Sequence, residues 1–212
     1  MADPPAASGR LTVFASGAIY HIIADGDRQV RRLAFERAKR SCIMSDKIRT
    51  LTYGGVLSAV IMLATLLSLP MPSGYGYINF GDGAIFAAAS ILGPFAAISA
   101  AIGSALADLI VGYSLYMPAT FLIKGLMGLI SGFALRRSRC MPWYMMAVLF
   151  LLCEVIMVGG YFVFEWILYG IAAASGQLLF NSLQGIAGIA TGLAVVPLAR
   201  RIRTNALPTD MI

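Results

Sequence analysis

Five charged residues interrupt the apolar runs of this chain: Asp82, Asp108, Lys124, Glu154 and Glu165, accompanied by the amides Asn181 and Gln184. In hydrocarbon a charge costs at least ~2.5 kcal/mol, so such residues in apolar segments point to a ligand or ion site. Their spacing lets them converge. At about 100° per residue, Glu154, Tyr161 and Glu165 fall on one stripe of a helix, because seven and eleven steps nearly close whole turns. Asn181, Gln184 and Gly188 share a face at i, i+3 and i+7, and Lys124 shares one with Gly128, flanked by Thr120. Facing inward, this set would bind a small polar solute by charge-assisted hydrogen bonds. It offers no catalytic residue: phosphate-loop, HExxH and GxSxG motifs are missing. His21 is the single histidine and the three cysteines (Cys42, Cys140, Cys153) are scattered, so neither a metal site nor a disulfide framework is expected.

Structural alternatives stand beside these roles. Lys124 with Asp108 or Glu154 would make an internal ion pair that fixes helix register. Asp82 after Gly81, and Asn181, have the form of helix N-caps. Tyr75 and Tyr77 suit either an interfacial aromatic belt or a lid over a pocket.

The elements that must position these groups follow from composition. Of 212 residues, 59% are hydrophobic and only 12% charged, with a mean hydropathy of +0.81. A soluble domain carries about 25% charged residues, so the solvent of this chain is largely lipid. A cytosolic enzyme, a disordered chain and a collagen-like one are excluded. Spans are expected at about 48–69, stopped by Pro70 and Pro72, then 82–92, 96–111, 118–135, 142–169 and 178–199. The fold class is an all-α integral membrane protein, a bundle of six transmembrane helices occupying residues 44–203, with a short tail at 204–212. Residues 1–43, with seven basic and four acidic residues, read as a basic extension preceding a translation start at Met44.

The net charge of +6 does not imply nucleic acid, because the basic residues cluster at the ends of apolar segments. Clusters precede span one and follow spans four and six, while loops 71–81, 112–118 and 166–177 contain neither Lys nor Arg. The positive-inside rule then puts both termini in the cytoplasm. In that frame nearly all intramembrane polarity lies in the outer half. An ion pathway would carry acids through the inner half too, so an outward-facing pocket fits better. Gly55, Ser58 and Ala59 give span one a shallow surface without ionisable groups, suited to a partner helix.

The run Tyr77-Ile-Asn-Phe-Gly-Asp-Gly-Ala-Ile-Phe86, followed by Ile91-Leu-Gly-Pro94, resembles the start of span two in substrate-binding S components of energy-coupling factor (ECF) vitamin transporters. Gly103-Ser-Ala-Leu-Ala-Asp-Leu109, Pro118-Ala-Thr-Phe-Leu-Ile-Lys-Gly-Leu126, Glu154 with Gly160-Tyr161, and Asn181-Ser-Leu-Gln184 continue the likeness in order over residues 47–200. It is closest to the branch with hydroxymethylpyrimidine- and pyridoxine-type substrates. The resemblance implies a multi-pass protein of the cell membrane that binds a small vitamin-like molecule near the outer face. Asn79, Asp82, Lys124, Glu154, Tyr161, Glu165, Asn181 and Gln184 would contact it, under a lid carrying Tyr75 and Tyr77. It further implies a membrane scaffold subunit, docked here on Gly55-Val-Leu-Ser-Ala59, and two cytoplasmic ATPases that use ATP while this chain holds no cofactor. The alternative is a stand-alone secondary transporter coupled to protons through Glu154, or through Asp108 with Lys124.

Overall fold

A computed structural model of the chain describes residues 47–70, 77–138 and 141–206. The chain divides into two units, Met1–Arg49 and Thr50–Ile212. Of the first, only 47–49 at the start of helix α1 are described, so the extension at 1–43 lies outside the described residues. Tyr75 lies outside them as well.

Helix α1 spans Lys47–Leu66. A short ribbon follows, in which β1 (Ser68–Pro70) pairs antiparallel with β2 (Tyr77–Asn79), Ser68 opposite Asn79 and Pro70 opposite Tyr77. Then come α2 (Gly81–Leu92), one 3-10 turn (Gly93–Phe95), α3 (Ala96–Val111), α4 (Met117–Arg137), α5 (Trp143–Tyr169) and α6 (Ile171–Ala206).

Among the described residues, five stretches are long and apolar enough to cross a membrane, and one of them, Gly81–Val111, contains both α2 and α3. The sequence reading separates 82–92 from 96–111, and length and composition alone merge the two into one stretch. At 12 residues α2 rises only about 18 Å, short of a hydrocarbon core of about 30 Å. The chain nevertheless reverses between the two. Asp82 at the start of α2 meets Lys124, and Gly93 at its end lies against Gly132 and Arg136, so α2 runs parallel to α4. On α3, Ala96 packs on Gly128 and Ala101 on Gly125, in the opposite sense. Gly93 makes the corner with φ +60, a left-handed conformation that side chains resist, while the Arg136 stem covers it.

Close approach depends on small residues. Ser99 donates its hydroxyl to the Gly54 carbonyl at 2.9 Å, and Gly103 lies on the Ser58 carbonyl, which fixes α1 beside α3. The α5–α6 connection is one residue, Gly170 with φ +83. The expected loop at 166–177 is therefore helical except at that corner. The apolar core holds Phe86, Met127, Phe150, Cys153 and Met157, all fully buried, with Phe86 stacked on Phe150 at 4.1 Å between ring centroids. Outward faces are apolar: Leu51 is 78% exposed and Ile167 76%. A water-soluble monomer rarely presents so much apolar surface, whereas lipid accepts it.

Candidate substrate site

Asp82, in the first turn of α2, is fully buried and is the hub of the polar groups. Its Oδ1 is paired with the Lys124 ammonium of α4. Its Oδ2 accepts from Gln184 Nε2 of α6 at 2.9 Å. Gln184 Oε1 in turn accepts from the Asn79 backbone N–H at 3.2 Å and from Asn79 Nδ2 at 3.3 Å. Asn79 Oδ1 takes the N–H of Gly81 at 2.9 Å. One chain of polar contacts therefore ties β2 to α2, α4 and α6. All of these side chains are buried, as buried polar groups with partners can be.

Neither capping alternative survives. The residue preceding α2 is Phe80, and Asp82 spends both oxygens on tertiary partners; Asn79 satisfies an N–H of the first turn instead. Asn181 lies inside α6, not at its start, because that helix begins at Ile171. Lys124 takes Asp82 as its ion-pair partner, which the register alternative did not name.

Toward the end of the bundle that carries Tyr116 and Gly170, Tyr161 of α5 places its ring 5.7 Å from Lys124 Nζ, and its hydroxyl is 2.9 Å from that of Thr120. Glu154, two turns deeper on α5, is 3% exposed, and neither carboxylate oxygen has a hydrogen-bond partner. It lies against Gly185 and Gly188 of α6, where a side chain would collide with it. Its carboxyl lies within electrostatic reach of Asp82 and Lys124.

Glu165 and Asn181 form a separate level. Eleven residues, about 16 Å of helix, separate Glu165 from Glu154, and Glu165 lies beside Asn181 and Tyr116. Asp108 is buried on α3 and acts electrostatically on Tyr161. The eight residues named from sequence thus occupy two levels: Asn79, Asp82, Lys124, Glu154 and Gln184 below, Glu165 and Asn181 above, Tyr161 between. The side chain of Tyr77 is outside the described set. On α1, Gly55 and Ala59 are exposed, whereas Ser58 is half-buried with its carbonyl turned to α3.

Sequence reasoning missed Tyr116 and Gln177. Tyr116 is buried and packs against Tyr161, Phe164 and Tyr169, with ring centroids 6.5, 5.4 and 6.5 Å away. Burial first, and the Glu165 carboxyl second, hold its phenol well above the ordinary value, so it remains a hydrogen-bond donor. Its signal was faint, since it sits in a turn before Pro118 and belongs to no helical period. Gln177 is buried on α6 one turn before Asn181 and was hidden in the supposed loop.

The chain is similar in sequence to known proteins. The chain is 32% identical over 163 residues to the thiamine precursor transporter HmpT of Lactococcus lactis, covering 75% of this chain and 93% of that protein. It is also 32% identical over 135 residues to an uncharacterised protein of Pyrococcus woesei, covering 63% of this chain and 89% of that one. The family model of the ECF-type riboflavin transporter S component matches residues 45–202, from the start of α1 into the end of α6. This polar cluster inside an apolar bundle therefore belongs to a non-enzymatic transport protein, and the chain is a member of the ECF-type S component family.

Proposed function

We propose that the chain captures a small water-soluble vitamin or vitamin precursor from outside the cell and delivers it for ATP-driven uptake. A membrane scaffold subunit and two cytoplasmic ATPases act with it; ATP is consumed by those partners. The bundle crosses the cell membrane six times with both termini in the cytoplasm, α2 and α3 counting as two passes. The substrate is bound by Asn79, Asp82, Lys124, Glu154, Tyr161, Glu165, Asn181 and Gln184, under a lid loop that carries Tyr75 and Tyr77. The scaffold docks on the exposed small residues Gly55 and Ala59, with Ser58 beside them. A thiamine-precursor transporter among the relatives makes a vitamin precursor the preferred substrate class.

The observation that carries this reading is the one-ended polarity of the bundle. The cluster around Asp82 rests on Phe86, Met127, Phe150 and Cys153, all fully buried. Such a layer suits a binding cup better than a relay of protons. The second reading, a stand-alone proton-coupled transporter, draws on the unpartnered carboxyl of Glu154, the form that a proton carrier takes. Uptake measured with and without co-expressed scaffold and ATPases, and with the proton gradient collapsed, separates the two. Uptake that persists without ATPases and vanishes with the gradient refutes the first reading.

A further inference from the structure

The charge that reaches the surface of the second unit has one sign. Among its described residues every acid is buried (Asp82, Asp108, Glu154 and Glu165), and so is Lys124. The charged groups left at the surface are arginines: Arg136 and Arg137 in the last turn of α4, Arg200 and Arg201 on α6. No described acid pairs with Arg136 or Arg137. Arg136 is also held in place. Its stem lies across the Gly93 corner, where a Cβ would stand 3.1 Å from the arginine Cδ.

An apolar strip leads up to these two groups. On α4, Leu122, Leu126, Leu129 and Phe133 follow at i, i+4, i+7 and i+11, so they share one face, and Arg136 and Arg137 continue it by one turn. All four are exposed, Phe133 at 60%. The strip runs between two helix contacts of α4: Gly125, Gly128 and Gly132 press on α3 and the turn before it, and Ile123 meets Gly160 of α5. Eleven residues rise about 16 Å, close to the ~15 Å of one leaflet. Cys153 Sγ reaches the Met127 carbonyl at 3.9 Å, and α5 runs back along α4 from there, so Trp143 stands level with Arg137. That indole is exposed, as side chains at the boundary of lipid and water are.

We propose that this edge of α4 binds one anionic phospholipid, with its phosphate on Arg136 and Arg137 and an acyl chain along Leu122, Leu126, Leu129 and Phe133. Guanidinium groups take phosphate oxygens in a fork, which a point charge does not. A zwitterionic lipid brings its own cation to the same phosphate, whereas an acidic lipid leaves the negative charge to the protein. Complementing the dipole at the end of α4 asks only for a cation, and not for an apolar strip of leaflet length beneath it. Free phosphate and an acidic protein surface supply the charge without the chain. Arg136 stands twelve residues, about 18 Å, along α4 from Lys124, so this site is separate from the polar cluster. With both termini in the cytoplasm, it faces the cytoplasmic leaflet.

The test uses the full chain purified in a neutral detergent and four probes: dioleoylphosphatidylglycerol, dioleoylphosphatidylcholine with the same chains, inorganic phosphate and polyglutamate. Native mass spectrometry should retain a single phosphatidylglycerol on the chain, and that lipid alone should raise the melting temperature. Arg136→Gln with Arg137→Gln should weaken its binding about tenfold, through loss of the charge-assisted contacts. Arg136→Lys with Arg137→Lys should keep part of the affinity, and Arg200→Gln with Arg201→Gln should leave it unchanged. Equal binding of the two lipids overturns the inference. So does displacement of phosphatidylglycerol by phosphate, which would make this a simple anion site, or by polyglutamate, which would assign the patch to an acidic protein. Equal loss from the α4 and α6 pairs overturns it too, since a diffuse basic belt would then suffice. Should the glutamine pair on α4 fail to fold, the lysine pair and the comparison of lipids on the wild-type chain still decide it.

Discussion

Removing both members of the Asp82–Lys124 pair should cost no more than removing either one alone. Lys124→Met leaves a buried carboxylate at Asp82 with a single donor, Gln184 Nε2 at 2.9 Å. Breaking a buried pair from one side costs about 3–5 kcal/mol, and the surviving donor places this variant near 3. Asp82→Leu strands the ammonium, which retains the Tyr161 ring at 5.7 Å and has Glu154 as its next acid, so about 3 kcal/mol is expected again. The double variant removes both charges of the pair together. It loses the acceptor of Gln184 Nε2, about 1–2 kcal/mol, and about 1 kcal/mol of packing. The double should therefore cost about 3 kcal/mol where additivity demands about 6, a coupling of about 3 kcal/mol. Equilibrium unfolding in mixed micelles by the far-UV signal measures all four proteins. Costs that simply add would show that the two charges do not act as a pair, and the hub assigned to Asp82 would fall.

Three further outcomes are expected. Gly188→Ala should displace the Glu154 carboxyl, which a Cβ at 188 would strike, lowering affinity for the solute at least tenfold and costing about 1–3 kcal/mol through overpacking; unchanged binding and melting would show that Glu154 has room elsewhere. Gln184→Ala releases Asn79, which donates twice to Gln184, so the Asn79 amide should exchange its hydrogen about tenfold faster, as loss of about 1.4 kcal/mol of local stability implies; an unaltered rate rules out the tie between ribbon and bundle. Gly55→Leu with Ala59→Leu should block uptake and spare solute binding, because both positions are exposed; parallel loss of both would place them in the internal packing.

The long apolar runs and the charges inside them were legible because hydropathy and helical period are local properties of the chain. Corners were legible where glycine and proline mark them, as at Gly93-Pro94. The start of α6 was not. Ser175, Gly176 and Gln177 look like loop residues, yet the Ala-rich turn before them sustains the helix, and the Ser175 hydroxyl donates to the Ile171 carbonyl at 2.8 Å. The single residue Gly170 then suffices for the corner. Asp82 shows the other boundary of sequence reasoning. Its position after Gly81 suits a cap, and only the tertiary fold brings Lys124, 42 residues away, and Gln184, 102 residues away, to its two oxygens. A pattern along one helix shows which face is polar; it does not show which polar residue on another helix will meet it.

The layer beneath the cluster constrains how a bound solute can leave. Phe86 and Phe150 stack with an interplanar angle of 11°, and Gly192 lets that pair approach α6, since a Cβ there would lie 2.7 Å from the Phe86 ring. Opening a polar path through this floor would unstack two fully buried rings, each of which contributes about 1.5–3 kcal/mol by burial alone. It would also wet Met127 and Cys153, whose sulfur atoms hold water only weakly. The other end is tied by hydrogen bonds: Asn79 to Gln184, and Tyr161 to Thr120. These net about 0.5–1.5 kcal/mol each and can exchange with water at little cost. Entry and exit through that end are therefore cheaper than passage through the floor. Under the proposed function, net uptake then requires the partners to move the whole cup across the membrane barrier, so a chain locked in place by crosslinks to its surroundings should bind solute normally and transport none.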